Sequence, residues 1–297
     1  MERSYTRDIR SITSSITRAT NKRIDFAKLR PGEPGYSKRL RAAITAIRRD
    51  VRNEWGADEI NAVIEAQTIR VSAASDRAYV EALADATGLD RDALDDLGDF
   101  DPREVEDLEE LGGDLPSENE AAIASLVRKG RGASTARQDR AFAKENRALL
   151  RDLSKSHTEK LATDLLSLGI AGVGIATLRA AVSRRNGEVK RRGDIVAADQ
   201  SQKLNGAHAR VRQGAAGVDS YTWRTQGDDR VRDEHVARDG LAFRWDSPPE
   251  DGHPGEPINC RCFAVPRIDT AVAAFSTGPE AEAFKELQGE RQLREGV

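Results

Sequence analysis

Apolar positions recur at three- and four-residue spacing through most of the chain. Ile9, Ile12 and Ile16 form one stripe, and Leu40, Ile44, Ile47, Val51 and Trp55 a second, with Arg, Lys and Asp on the opposite faces. That period puts one apolar face on a helix. Arg30-Pro-Gly-Glu-Pro-Gly35 separates the two stripes, because proline removes a backbone donor and glycine favours a turn. The helical period resumes at Ala57-Asp-Glu-Ile60 and runs through Val63, Ile64, Val71, Tyr79 and Leu83 to a stop at Gly88. Leu153–Val182 reads as helix with a break at Gly169-Ile-Ala-Gly-Val-Gly174, read as close helix packing or a turn between helices. Another helix is expected from Arg192 through Leu204 and Val211 to Gln213-Gly-Ala-Ala-Gly217. The pattern then changes. Val218–Thr225 alternates with period two, and Ala242–Trp245 and Phe263–Pro266 suit two more strands, around the loop Pro248-Pro-Glu-Asp-Gly-His-Pro-Gly-Glu-Pro257. Ala271–Leu293 returns to helix, broken at Gly278-Pro279.

The expected fold is mainly α, with a small C-terminal α+β module of short strands and a Pro-rich loop. The expected segments are an N-terminal helical arm (1–88), an acidic hinge (89–120), a helical region with a basic first half (121–217), the module (218–268) and a C-terminal tail or helix (269–297). The arm's narrow apolar stripes cannot close a large core alone, which predicts that it docks on a partner.

Charge changes this picture locally. The 297-residue chain carries a net charge of only −3, which favours neither nucleic acid nor an anionic membrane over the whole surface. Yet 14 acidic residues face two arginines between Asp90 and Glu120. Leucines punctuate this run, so short helices on a partner are expected there; Asp99-Phe-Asp-Pro-Arg-Glu lacks the glycine and terminal glutamate of an EF-hand. Arg128–Arg151 holds eight basic and two acidic residues. It reads as a solvated helix face, and Arg128, Lys129, Arg131, Arg137 and Arg140 are the candidates for DNA phosphate contact. The longest apolar run, Leu165–Leu178, has 14 positions, against about 20 for a bilayer span, so no membrane segment is expected. Met1–Arg7 has no basic stretch leading into an apolar segment, so no secretory leader is expected.

The chemistry concentrates late in the chain. Residues 221–266 hold both cysteines, two of the four histidines and five of the ten prolines. Cys260 and Cys262 offer two soft thiolates, and His235 and His253 two imidazoles, the inventory of a Cys2His2 zinc site. Three readings stay open: structural zinc, two buried thiols with a histidine bonded to the Asp-Gly turn, and a local disulfide. Arg230 and Arg232 with Asp228 or Asp229 suggest a buried ion-pair network, Asp239-Gly240 a turn with positive φ, and Trp223 and Trp245 core positions.

Trp223-Arg-Thr-Gln-Gly-Asp-Asp-Arg-Val-Arg-Asp-Glu-His235, then Asp239-Gly240, then Pro254-Gly-Glu-Pro-Ile-Asn-Cys-Arg-Cys262 resembles the signature of the phage Mu F-type minor head proteins, the phage head morphogenesis family. Its motif positions include Trp223, Asp229, Arg230, Arg232, Asp239, Gly240 and Arg261. Upstream the family commonly shows an Ala-Arg-Thr-Glu-like stretch, where this chain has Ala197-Ala-Asp-Gln200. The resemblance covers at most about residues 150–268. It implies a low-copy structural virion protein, inside the head at the portal vertex, made in the host cytoplasm and acting in head assembly, genome packaging or DNA delivery. Its implied partners are the portal ring and other capsid proteins, with packaged double-stranded DNA a further contact, and no catalysis is implied. The alternatives are a metal-dependent nuclease using Asp229, His235, His253 and the cysteines, and a DNA-binding adaptor using the basic stretch.

Overall fold

A computed structural model describes residues 2–105 and 115–295. Among the described residues seven helices precede the sheet: α1 Glu2–Arg23, α2 Tyr36–Glu54, α3 Ala57–Thr87, α4 Arg91–Gly98, α5 Glu118–Arg131, α6 Ala136–Ile170 and α7 Ile175–Ala215. Then follow β1 Ser220–Arg224, the one-turn helix α8 Asp233–Val236, β2 Ala242–Arg244, β3 Phe263–Pro266, α9 Asp269–Phe275 and α10 Pro279–Glu295. The fold is mainly α, with one small antiparallel sheet near the C-terminus. The glycine-rich break falls between α6 and α7, and the expected Arg192 helix is the continuation of α7. Nothing between Val182 and Arg192 breaks the helix, because Gly187 sits in open space and costs only propensity.

The chain divides into two compact units that do not follow its order. The first draws on residues up to Val71 and on Asp139–Ser201, the second on Ser72–Gln138 and on the chain from Gln202. In the first, the stripes of α1 and α2 bury Ile9, Ile12, Ile16, Leu40, Ile44 and Ile47 together with Leu150, Leu153, Leu161 and Leu165 of α6. The arm expected to need a partner thus finds apolar cover within its own chain. Tyr36 shows how closely these helices approach: its hydroxyl donates to the Leu165 carbonyl at 2.7 Å, and a Cβ on Gly169 would lie 2.1 Å from its ring. Gln200, at the end of the Ala197-Ala-Asp-Gln200 stretch, accepts from Asn146 at 2.8 Å, and Asn146 in turn accepts from the Tyr5 hydroxyl at 2.8 Å. That position is spent on a buried polar chain that fixes helix register.

In the second unit, Tyr79, Val80 and Leu83 of α3 pack with Leu94 of α4 and Ile123, Leu126 and Val127 of α5. Ser117 and Glu120 form a reciprocal capping box at the start of α5, and Asp90 caps α4 by accepting from the Ala93 amide at 2.8 Å. The described part of the acidic stretch is therefore folded, with α4 on α5; residues 106–114 of the expected hinge lie outside the described residues. Gly130 of α5 sits under the Tyr79 ring, where an added Cβ would come within 2.2 Å of two ring carbons. Gly130→Ala is expected to lower the unfolding free energy by about 1–3 kcal/mol through overpacking, measured by denaturant titration; an unchanged midpoint would show that α3 and α5 can move apart.

Asp101, 6 % exposed, is paired with Arg103 at 2.6 Å and Arg128 at 3.2 Å, and the buried Glu280 with Arg128 at 3.1 Å and Lys129 at 3.5 Å. The hydrogen bond from Arg103 is the chief reason the Asp101 carboxyl is held down to about 2. A carboxyl whose folded value is depressed stabilises the fold above its unfolded value, near 4, and loses that contribution as pH falls through its folded value. Stability is accordingly expected to fall between about pH 4 and pH 2, and Asp101→Asn to flatten that part of the profile, as read by urea unfolding across the range. Superimposable profiles would remove Asp101 from the account.

Candidate functional site

The sheet has the order β2-β1-β3, with Tyr221 opposite Phe243 on one side and Trp223 opposite Ala264 on the other. Alternation along β1 turns Tyr221 and Trp223 to the same face, where both are wholly buried. Trp245, Cys260, Cys262 and Ala264 complete that small core, with Phe243 against it. Trp245 is held from α7: its indole N–H donates to Gln213 Oε1 at 3.0 Å, while Gln213 Nε2 donates to the Ala264 carbonyl at 3.0 Å. One buried glutamine thus ties α7 to two separate parts of the module.

The helix α8 places His235 over the Trp223 ring edge, 5.1 Å between centroids. The chain returns through Asp239-Gly240, where Gly240 has φ +80° and donates its amide to the Trp223 carbonyl at 2.9 Å. Asp239 accepts from the Thr225 amide at 2.8 Å, closing the same turn. The Pro-rich loop that follows is held from several directions. Arg232 donates to the Ile258 carbonyl at 2.6 Å, Arg261 pairs with Asp228, and Gly255 lies against the α7 backbone, where a Cβ would come 3.0 Å from the Gln202 carbonyl oxygen. Asn259 adopts φ 56° immediately before Cys260. Period two then turns Cys260, Cys262 and Ala264 inward and leaves Arg261 partly exposed.

Three side chains converge there. His235 Nδ1 lies 3.4 Å from Cys262 Sγ and 3.6 Å from Cys260 Sγ, and the three ligand atoms all lie within 4.8 Å of one another. His235, Cys260 and Cys262 are 2 %, 3 % and 5 % exposed, and both cysteines are free. On the far side of the ring, His235 Nε2 is 2.8 Å from Asp251, whose other oxygen accepts from Arg238 at 2.5 Å. Arg238 in turn stands 5.1 Å from the Trp223 ring centre. One hydrogen bond links the two thiols; it is the main reason the pKa of Cys260 is lowered, and the same bond, with burial, pushes Cys262 up.

His253 stands outside this group. Its Nδ1 is 2.9 Å from the Tyr221 hydroxyl, its ring packs 4.9 Å from that of Trp245, and burial lowers its pKa. The four-residue set suggested by residue types is a three-residue set in space, with His253 serving the aromatic core. The suggested buried ion-pair network is an exposed one: Asp228, Asp229, Arg230 and Arg232 all face solvent. Asp251, Arg238 and Gln213 were not singled out by sequence, because nothing in a charged residue's local spacing signals which imidazole or indole it meets.

The basic stretch is also rearranged. Arg128 and Lys129 pair with Asp101 and Glu280, while Arg131 pairs with Asp95 and lies 3.7 Å from Asp76. Those three cations pair with carboxylates of their own unit, with Lys129 still exposed; Arg137 and Arg140 are also exposed.

Residues 159–265 match the family model described as phage Mu protein F like protein. A protein of Haemophilus influenzae, described as uncharacterized, is 31% identical over 135 residues, which cover 45% of this chain and 30% of that protein. No solved structure matches the chain.

Proposed function

We propose that this chain, whose residues 159–265 match the phage Mu protein F like family model, is a structural minor head protein of a tailed phage, acting at the portal vertex in head morphogenesis, genome packaging or DNA delivery. The observation that carries the reading is where the family match falls. It takes in α7, the sheet, the Asp239-Gly240 turn and the Cys260–Cys262 end, whose side chains serve to hold a loop in place. Such a module is what a protein needs if its task is to present a fixed surface to the portal ring and other capsid proteins. Catalysis asks for a reacting group within reach of a substrate. Here the imidazole and both sulfurs are buried, and the carboxylate bonded to the imidazole, Asp251, is spent on His235 and Arg238. Of the five candidates for contact with packaged DNA, Lys129, Arg137 and Arg140 are exposed, while Arg128 and Arg131 are half-buried in ion pairs with Asp101, Glu280 and Asp95.

Interrupting the gene in the phage or prophage that carries it tests the proposal. The titre of infectious particles is expected to fall by orders of magnitude and to return when the wild-type chain is supplied in trans. Purified protein is expected to leave plasmid DNA uncut in magnesium. Normal titres, or magnesium-dependent cleavage abolished by His235→Ala, would overturn it.

A further inference from the structure

We propose that His235 Nδ1, Cys260 Sγ and Cys262 Sγ form a three-ligand site for a zinc-class divalent ion, with no part played by His253. Geometry is the first argument. With Zn–S near 2.3 Å and Zn–N near 2.05 Å, the edge of a tetrahedron joining a sulfur to a nitrogen is about 3.5 Å. The two sulfur-to-Nδ1 distances are 3.4 and 3.6 Å, so both sulfur–nitrogen edges already have the length a tetrahedral metal would set.

The surroundings of the ring are the second argument. Asp251, anchored by Arg238, accepts from His235 Nε2, which keeps the proton on that nitrogen and leaves the Nδ1 lone pair turned toward the sulfurs. A carboxylate on the outer nitrogen of a ligating histidine is the usual way of fixing both tautomer and ring orientation. The Gly255 amide donates to Cys260 Sγ at 3.4 Å, a bond that strengthens when the sulfur is a thiolate.

Charge balance is the third. A divalent ion takes both sulfurs as thiolates and displaces whatever thiol protons they hold, leaving two thiolates, a neutral imidazole and the ion with no net charge, as burial requires. Thiolate ligands select zinc over magnesium or calcium. Cysteine, histidine and aspartate in this order also resemble an activated-thiol triad. A nucleophile, however, needs one exposed sulfur, and here two buried sulfurs address the same nitrogen.

The test uses the untagged full chain. Elemental analysis is expected to find about one zinc per chain. Cobalt(II) added after chelation is expected to give the intense visible and near-ultraviolet bands of a tetrahedral thiolate complex. Cys262→Ser and His235→Ala are expected to abolish those bands, His253→Ala to keep them, and Asp251→Asn to weaken affinity about 10–100-fold. Because a ligand variant can misfold, the wild type is also alkylated with and without zinc, and zinc is expected to protect both thiols. Wild-type protein with little zinc and no cobalt bands would overturn the site, as would full metal content in the Cys260→Ser, Cys262→Ser double variant. So would rapid single-thiol alkylation that zinc does not slow. None of these outcomes bears on phage titre, so the site and the head-assembly reading stand or fall separately.

Discussion

Arg212→Ala is expected to lower the unfolding free energy by about 3–5 kcal/mol, the cost of stripping one partner from a buried charged network. Arg212 is 4 % exposed near the end of α7. Its Nε donates to Ser75 Oγ at 3.2 Å, its Nη1 to Asp76 at 3.2 Å and to the carbonyls of Gly130 and Arg131 at 3.0 and 3.2 Å, and its Nη2 to the Ser72 carbonyl at 3.4 Å. The Gly130 and Arg131 carbonyls belong to the last turn of α5, where no intrahelical donor remains and the helix dipole favours a cation. One guanidinium therefore ends α5 and joins it to α3 and α7. Lysine brings the charge but not the fork of donors, so Arg212→Lys is expected to recover only part of the loss. The check is a denaturant titration in which the midpoint falls with the slope unchanged. A loss below about 1 kcal/mol would mean that water replaces the guanidinium, and that the network is no more than a surface ion pair.

Trp223→Ala is expected to cost about 3–5 kcal/mol, the range for removing a fully buried large aromatic. Trp223 is the inward residue of the central strand, wholly buried against Phe243 and the edge of His235, and its ring also supports Arg238, which anchors Asp251. Its loss opens a cavity beside the cysteines and loosens the partners that orient His235. The module is expected to melt first, with the helical signal of the rest of the chain retained, seen as loss of near-ultraviolet before far-ultraviolet dichroism. Trp223→Phe keeps most of the volume and is expected to cost less. Equal stability of Trp223→Ala and wild type would show that the module's core lies elsewhere.

The sequence was most legible where period and turn chemistry are local. The stripe from Leu40 to Val51 and the alternation around Tyr221 and Trp223 give α2 and β1 directly, and Gly278-Pro279 marks the gap between α9 and α10. Partnership was harder to read. A stripe shows that a face will be buried but not against what, so Ile9 and Leu40 suggested an external partner although both are buried within the chain, where Tyr5 and Tyr36 of the same helices bond Asn146 and Leu165 of α6. Charge runs misled in the same way: Arg128 and Arg131 read as a solvated face, and the carboxylates they meet, Asp101, Glu280 and Asp95, lie far from them in the chain. At the site, Cys260, Cys262 and His235 were visible as residue types, whereas the choice of His235 over His253 depends on Asp251 and on the Tyr221 hydroxyl, which only the folded chain brings to them.

The central claim is that this chain is part of a phage head. The direct measurement is mass spectrometry of gradient-purified, nuclease-treated particles from the phage or induced prophage that carries the gene. The account predicts the chain in those particles at low copy beside the portal protein, retained in heads from which tails have been removed. Its absence from purified particles, with the chain found instead only in the free fraction of the lysate, would contradict the account.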